Sequence, residues 1–265
     1  MRRSMAVLVA VLTVACAGGG PEPRPEAPAA RQVVDLSHPF DAETLYWPTE
    51  DGFQLEQVAS GRTEAGYFYA ANRFRTAEHG GTHIDAPIHF FEGGQSVDEI
   101  PLARLIAPGV VVDVSDACAL DPDYRVQVGD LEAWERVHGH LPDGAILLLR
   151  TGWGERWPDR AAYLGTKETG PEAVAGLHFP GLHPDAARWL VAERRIGAVG
   201  IDTASIDHGP STLFESHVAL FSADVPALEN VANLGALPAT GFTVAALPMK
   251  IGGGSGGPLR IAAWW

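Results

Sequence analysis

Apolar positions in this chain gather into short runs punctuated by glycine and proline, and few of them hold a helical period for long. Val33–Leu36 predicts a short strand, and Val110–Val114, which reads Val-Val-Val-Asp-Val, a more buried one. Ala145–Leu149 is a short apolar run bounded by turn residues, hence another core strand, and Ala198–Ile201 is a further one. Phe242–Leu247 and Leu259–Ala263 predict late strands joined across the glycine-rich segment 252–257. Two helices stand between them. Asp130 can cap a helix running through Leu131, Trp134 and Val137 and ended by Gly139. Pro184 through Arg195 predicts a second, with Ala187, Leu190 and Val191 on its inner face. No internal repeat or heptad pattern is present. Strands and helices interleaved in this order point to an α/β or α+β domain with a central sheet.

The N-terminal pattern has a different meaning. Arg2 and Arg3 precede an apolar run from Met5 to Ala15 that is too short to cross a bilayer as a mature helix. Val14-Ala15-Cys16 then supplies small residues at a cleavage point. Residues 1–16 therefore resemble a lipoprotein-type signal peptide, with Cys16 becoming the lipidated first residue, although Thr13 stands where such signals usually carry leucine. Plain secretion, with cleavage after Ala15 or Ala17, is the competing reading. Residues 17–32 form a Pro/Gly-rich tether with no means of building a core. Residues 33–265 read as one domain. The expected location is exported, as a periplasmic or cell-envelope lipoprotein with membrane attachment through Cys16.

Composition narrows the classes. Of 265 residues, 46% are hydrophobic and 20% charged, as in ordinary soluble domains. A formal charge of −14 argues against a nucleic-acid partner, which requires a basic face. With two cysteines, one of them in the signal, Cys118 has no partner for an intrachain disulfide and reads as a small buried apolar residue.

The chemistry concentrates in His79-Gly80-Gly81-Thr82-His83-Ile84-Asp85-Ala86-Pro87-Ile88-His89-Phe90. His79, His83, Asp85 and His89 all occupy odd positions, so an extended segment would turn them to one face. A helix would also bring His79 and His83 together, but Gly80, Gly81 and Pro87 are poor residues for a helix interior. Either geometry gathers nitrogen and oxygen donors of the kind zinc or manganese requires.

This stretch resembles the His-x-Gly-Thr-His-x-Asp-x-Pro-x-His signature of the cyclase-like metal hydrolases, a family that includes bacterial kynurenine formamidase and isatin hydrolase. The resemblance extends to Asp35-Leu36-Ser37 with Trp47-Pro48, to Gly200-Ile201-Asp202-Thr203-Ala204-Ser205-Ile206-Asp207, and to Glu229-Asn230-Val231-Ala232-Asn233-Leu234. It implies an α/β fold, a mixed sheet with flanking helices of the swivelling β/β/α type, over residues 33–265. It also implies that His79, His83 and Asp85 are metal ligands, that His217 and Glu229 complete the site, and that Asp85 can bridge two ions. One or two divalent ions, zinc or manganese, are the implied cofactor. His89 is assigned general acid/base work, with a further ligand role as the alternative. Trp47 is carried over as a wall of the substrate pocket, with core packing as the alternative. Asp207 and His208 could orient ligands.

The implied activity is hydrolysis of a C–N or C–O acyl bond in an arylformamide, cyclic amide, imide or lactone by metal-activated water. The partner is a small-molecule substrate, and a homo-oligomer is expected. Ser37, Ser205 and Ser211 lack the context of a serine nucleophile. The glycine-rich segment 252–257 lacks the Lys-Ser/Thr ending of a phosphate loop and reads as a turn bordering the site. Segment 153–183, rich in Trp, Gly and Pro, is expected to shape the pocket. The rival reading is an exported, non-catalytic zinc- or manganese-binding lipoprotein.

Overall fold

The computed structural model describes residues 31–265, so the signal peptide and nearly all of the tether lie outside the described residues. The strands run from β1 (Val33–Asp35), β2 (Gln54–Arg62), β3 (Phe68–Arg75) and β4 (His83–Asp85) to β5 (Ile106–Asp113) and β6 (Arg125–Val126). They continue as β7 (Ile146–Arg150), β8 (Gly181–Leu182), β9 (Ala198–Ile201), β10 (Ala227–Glu229), β11 (Phe242–Pro248) and β12 (Gly256–Trp264). Between them lie α1 (Leu102–Leu105), α2 (Ser115–Leu120), α3 (Val128–His138), α4 (Arg160–Leu164), α5 (Pro184–Arg194) and α6 (Glu215–Phe221).

Eight strands share one mixed sheet in the order β1-β12-β11-β5-β7-β9-β10-β4. Its centre, β5, β7, β9 and β10, is parallel. The ends then meet. Gly256–Pro258 of β12 pair with β4, while Ala262–Trp264 of the same strand pair with β1. The sheet therefore closes into a ring from β12 round to β4, with β1 laid along the outside of the seam.

Closure explains the apolar runs. Ala107, Val111, Ile146, Leu148 and Ala198 point to one side, into a cluster with Leu36, Ile84, Leu228, Val244 and Ile261. Val110, Val112, Leu147, Leu149, Val199 and Ile201 point to the other, under Leu131, Trp134, Ala187, Leu190 and Leu220 of the helices. Strands buried on both faces read as continuous hydrophobic runs, and these do. A third cluster joins Leu45 to Trp153, Tyr163, Leu164, Leu177 and Phe179.

Several boundaries differ from expectation. Asp130 does not cap α3. The cap is Gln127, whose backbone N–H donates to Asp130 Oδ2 at 2.7 Å, so Asp130 sits a turn inside, in the reciprocal position of a capping box. Val137 is 76% exposed, because the apolar stripe of α3 is carried by Leu131 and Trp134 with Val128 at its start. α5 stops at Arg194, since Arg195 turns left-handed at φ 44°. β12 begins inside the glycine-rich segment rather than after it. The β2–β3 hairpin is absent from the apolar pattern because most of its residues are exposed.

Candidate metal centre

The His79–His89 stretch is not one strand. β4 is only His83–Asp85, and alternation there brings the His83 and Asp85 side chains to the same side. Before it, Gly80 lies flat against the Tyr46 ring, where no side chain fits, and Gly81 takes φ 56° with the Phe40 ring 2.7 Å from where a Cβ would sit. After it, Pro87–His89 forms a 3₁₀ turn. These two bends return His79 and His89 to the cluster, where their rings stack at 3.8 Å between centroids. The four side chains converge, but the expected single extended face is replaced by a short strand between two turns. Thr82 ties the strand down: its hydroxyl donates to Asn230 O at 2.8 Å and accepts from the His38 N–H at 2.8 Å.

Two other elements complete the cluster. β10 pairs antiparallel with β4 and sets Glu229 directly across from His83. α6 contributes His217 from its buried face. The distances are short. His79 Nδ1 lies 2.6 Å from Asp85 Oδ1, and His83 Nε2 lies 3.1 Å from the same oxygen and 3.5 Å from Glu229 Oε2. His217 Nε2 lies 3.2 Å from Asp85 Oδ2 and 3.1 Å from Glu229 Oε1. Two overlapping triads, His79–Asp85–His89 and His83–Asp85–Glu229, each place their ligand atoms within 4.8 Å of one another and share Asp85.

The far nitrogens of three of the histidines are held. His83 Nδ1 donates to Gly81 O at 3.0 Å, and His217 Nδ1 donates to Asp207 Oδ2 at 2.6 Å. Ser255 Oγ donates its one hydrogen to Glu78 Oε2 at 2.6 Å, so it can only accept from His79 Nε2, 2.9 Å away. Each of these three imidazoles therefore turns an unprotonated nitrogen inward when neutral. His83 Nε2 is buried and has no hydrogen-bond partner among the described residues. An orphaned buried nitrogen facing two carboxylates fits a divalent cation.

Electrostatics agree. Burial opposes charge throughout, yet the imidazoles of His79 and His83 hold the Asp85 carboxyl well below its usual range. Burial and the neighbouring Asp85 charge push Glu229 up. Although burial lowers it, His83 is pushed up to about 9 by Asp85 and then Glu229, and His217 is raised well above 6.5 by Asp207, Asp85 and Glu229. Without an ion the cluster gathers protons into the space that a cation would neutralise. His89 differs: burial lowers it to about 4, with Asp85 opposing and His79 adding to the effect. It is neutral at pH 7, and its ring nitrogens have no hydrogen-bond partner among the described residues.

A cavity of about 230 Å³ opens onto this cluster. Its apolar walls include Leu45, Trp47, Phe90, Leu164 and Phe214, and its polar lining beyond the ligands includes Glu50, Ser205 and Asn230. A family model named Cyclase, described as "Putative cyclase", matches residues 34–208. An isatin hydrolase of Roseibium aggregatum is 37% identical over 206 residues, which is 75% of this chain and 76% of that protein. This chain belongs to the Cyclase family of metal-dependent hydrolases. A kynurenine formamidase of Salinibacter ruber is 29% identical over 233 residues, 86% of this chain and 95% of that one. Isatin hydrolase A from Labrenzia aggregata bound to benzyl benzoate shares 34% identity and a TM-score of 0.79, covering 88% of this chain and 93% of that one.

His79, His83, Asp85, His89, His217 and Glu229 all line the one cavity, and so does Trp47. Trp47 also packs edge-on to Phe179 at 6.4 Å, so it serves as wall and as cover of the third cluster. Segment 153–183 reaches the cavity only through Leu164 and otherwise supports Trp47 from behind. The glycine-rich turn borders the site through Ser255. His208 is not among the lining residues. Ser37 and Ser211 spend their hydroxyls accepting from the Ile261 and Phe214 backbone, away from the cluster. Glu78, Ser255, Phe90 and Phe214 were not found from sequence; the first three adjoin histidines or glycines already singled out, and Phe214 lies three residues before His217.

Proposed function

We propose that this hydrolase opens the C–N bond of a neutral cyclic amide or imide fused to an aromatic ring, with arylformamides and lactones as the adjacent classes. The observation that carries the proposal is the lining of the cavity. Its walls are aromatic and aliphatic, its polar groups gather at the ligand cluster, and it contains no lysine or arginine among the described residues. A substrate bearing its own carboxylate would meet Glu50 and no lysine or arginine, whereas a flat uncharged ring meets Trp47, Phe90 and Phe214. The relatives named isatin hydrolase and kynurenine formamidase support the bond type.

His79, His83, Asp85, His217 and Glu229 would hold one or two divalent ions, zinc or manganese. Such an ion polarises an acyl carbonyl and lowers the pKa of water toward about 7. Asp85, reached from both triads, is the group able to serve two ions. His89, neutral and free of protein hydrogen bonds, accepts a proton from the attacking water at a ring nitrogen and returns it to the leaving nitrogen. Trp47 and Phe214, whose ring centroids lie 6.4 Å apart in the cavity wall, would limit the access of bulk water. The test is turnover of zinc- and manganese-reconstituted protein on isatin, cyclic imides, simple lactones and N-formylkynurenine. Isatin and imides are expected to lead. Preference for N-formylkynurenine overturns the substrate class, and silence across the panel with ion bound would favour a sequestering protein.

We also propose that the chain self-associates through the β2–β3 hairpin. Leu55, Phe68, Tyr69 and Phe74 are all more than half exposed there, and a lone two-stranded hairpin is marginally stable in water. Arg62, Arg73 and Arg75 against Glu56 and Glu64 leave the arm at a formal charge of +1 in a chain of −14, so charge repulsion does not oppose its apolar docking on a second copy. Export with lipidation at Cys16 is retained as a proposal on the N-terminal pattern alone.

A further inference from the structure

We infer that Asp207, which is outside the ligand set, is the positioning residue that decides which nitrogen His217 turns toward the metal centre. The inference rests on the metal-centre reading above. Asp207 sits in the turn after β9 and is 2% exposed. Its Oδ2 accepts from His217 Nδ1 at 2.6 Å and from the His217 backbone N–H at 3.2 Å, while Oδ1 accepts from the Ser216 N–H at 3.1 Å. One carboxylate oxygen thus grips both the backbone and the ring of the same residue. An ionised carboxylate only accepts, so the proton stays on Nδ1. Nε2 is then the atom left facing Asp85 Oδ2 and Glu229 Oε1.

The arrangement differs among the three imidazoles whose far nitrogen is held. His83 uses a neutral carbonyl, Gly81 O, and His79 uses the Ser255 hydroxyl. His217 alone places its far nitrogen directly on a carboxylate. A charged acceptor makes the opposite nitrogen a stronger donor to a cation and fixes the ring plane. The residue before Asp207 acts in parallel, since the Ile206 N–H donates to Glu229 Oε1 at 2.7 Å. A single turn therefore orients two groups of the cluster, one through a side chain and one through the backbone.

Asp207→Asn keeps the size of the side chain and an oxygen for the Ser216 N–H. Its amide NH₂ facing Nδ1 would donate, driving the ring proton to Nε2. Zinc affinity, read by chelator competition, is expected to fall on the order of 10–100-fold. In a His217→Ala background the same change is expected to alter affinity by less than about threefold, because the residue it acts through is gone. In zinc-loaded wild type, ¹⁵N spectra are expected to show His217 protonated at Nδ1. That measurement decides the question if the Asn variant fails to melt cooperatively. Unchanged zinc affinity in the variant, an equal loss with and without His217, or an Nε2–H tautomer in wild type each overturns the positioning role while leaving the metal reading intact. Wild-type protein that binds no stoichiometric ion overturns both.

Discussion

At the residue scale the cluster competes between protons and a cation. His83, pushed up to about 9, carries a proton at neutral pH when no ion is present, and Asp207, Asp85 and Glu229 raise His217 in the same direction. Ligation needs the neutral ring, so zinc uptake at pH 7 is expected to release at least about one proton per ion and to weaken as pH falls. Calorimetry in buffers of different ionisation enthalpy measures this, and binding heats independent of buffer would contradict it. His89→Ala is expected to keep the ion while reducing kcat on the order of 100-fold or more. Survival of near-wild-type turnover would transfer His89 to the ligand set, where its triad with His79 and Asp85 offers a place. Which residues gather at the cluster was readable from the signature and the Glu229 segment, apart from His217, which rested on the family resemblance alone. Their support was not, because Glu78 and Ser255 lie far apart in sequence and meet only in the folded chain.

At the element scale, apolar periodicity located β5, β7 and β9 because both faces of these strands are buried, which leaves an unbroken hydrophobic run. It misread the stretch around β4, where the local backbone is governed by Gly81 and Pro87 rather than by alternation. The glycine-rich turn shows the same point in energetic form. A methyl group at Gly256 would lie 2.6 Å from His79 Cε1 and 2.6 Å from Ile84 O, and one at Gly254 would lie 2.8 Å from Glu78 Oε1. Gly256→Ala is therefore expected to destabilise the domain by roughly 1–3 kcal/mol through overpacking, and to weaken ion binding as well. Denaturant melts with and without zinc test it; a variant equal to wild type in both would show that β12 can shift without cost.

At the scale of the whole molecule, stability should depend on pH through His38. Burial lowers its imidazole to about 4, and its ring stacks on Trp157 at 4.1 Å. The unfolded chain takes up a proton below about 6.5, whereas the folded chain does so only near 4. The unfolded state binds more protons in that window, so stability is full above about 6.5 and declines as pH falls toward 4. His38→Phe is expected to flatten the decline in thermal melts across that range. For the hairpin, Leu55→Lys with Phe74→Lys is expected to convert an oligomer to monomer in light scattering; a wild-type monomer would refute the self-association. Neither the arm nor the ring closure was evident from sequence. The arm is mostly exposed, and closure depends on one strand having two neighbours on the same side.

That shared strand has a kinetic corollary. β4 carries His83 and Asp85, and it is stitched to β10 on one flank and to β12 on the other. The ligand-bearing segment therefore has no loose border from which to peel. Its central amide, Ile84, should exchange with solvent as slowly as those of β7 even in apoprotein. The receptor for the ion is thus expected to be assembled in advance, so that loading needs no rearrangement of the sheet.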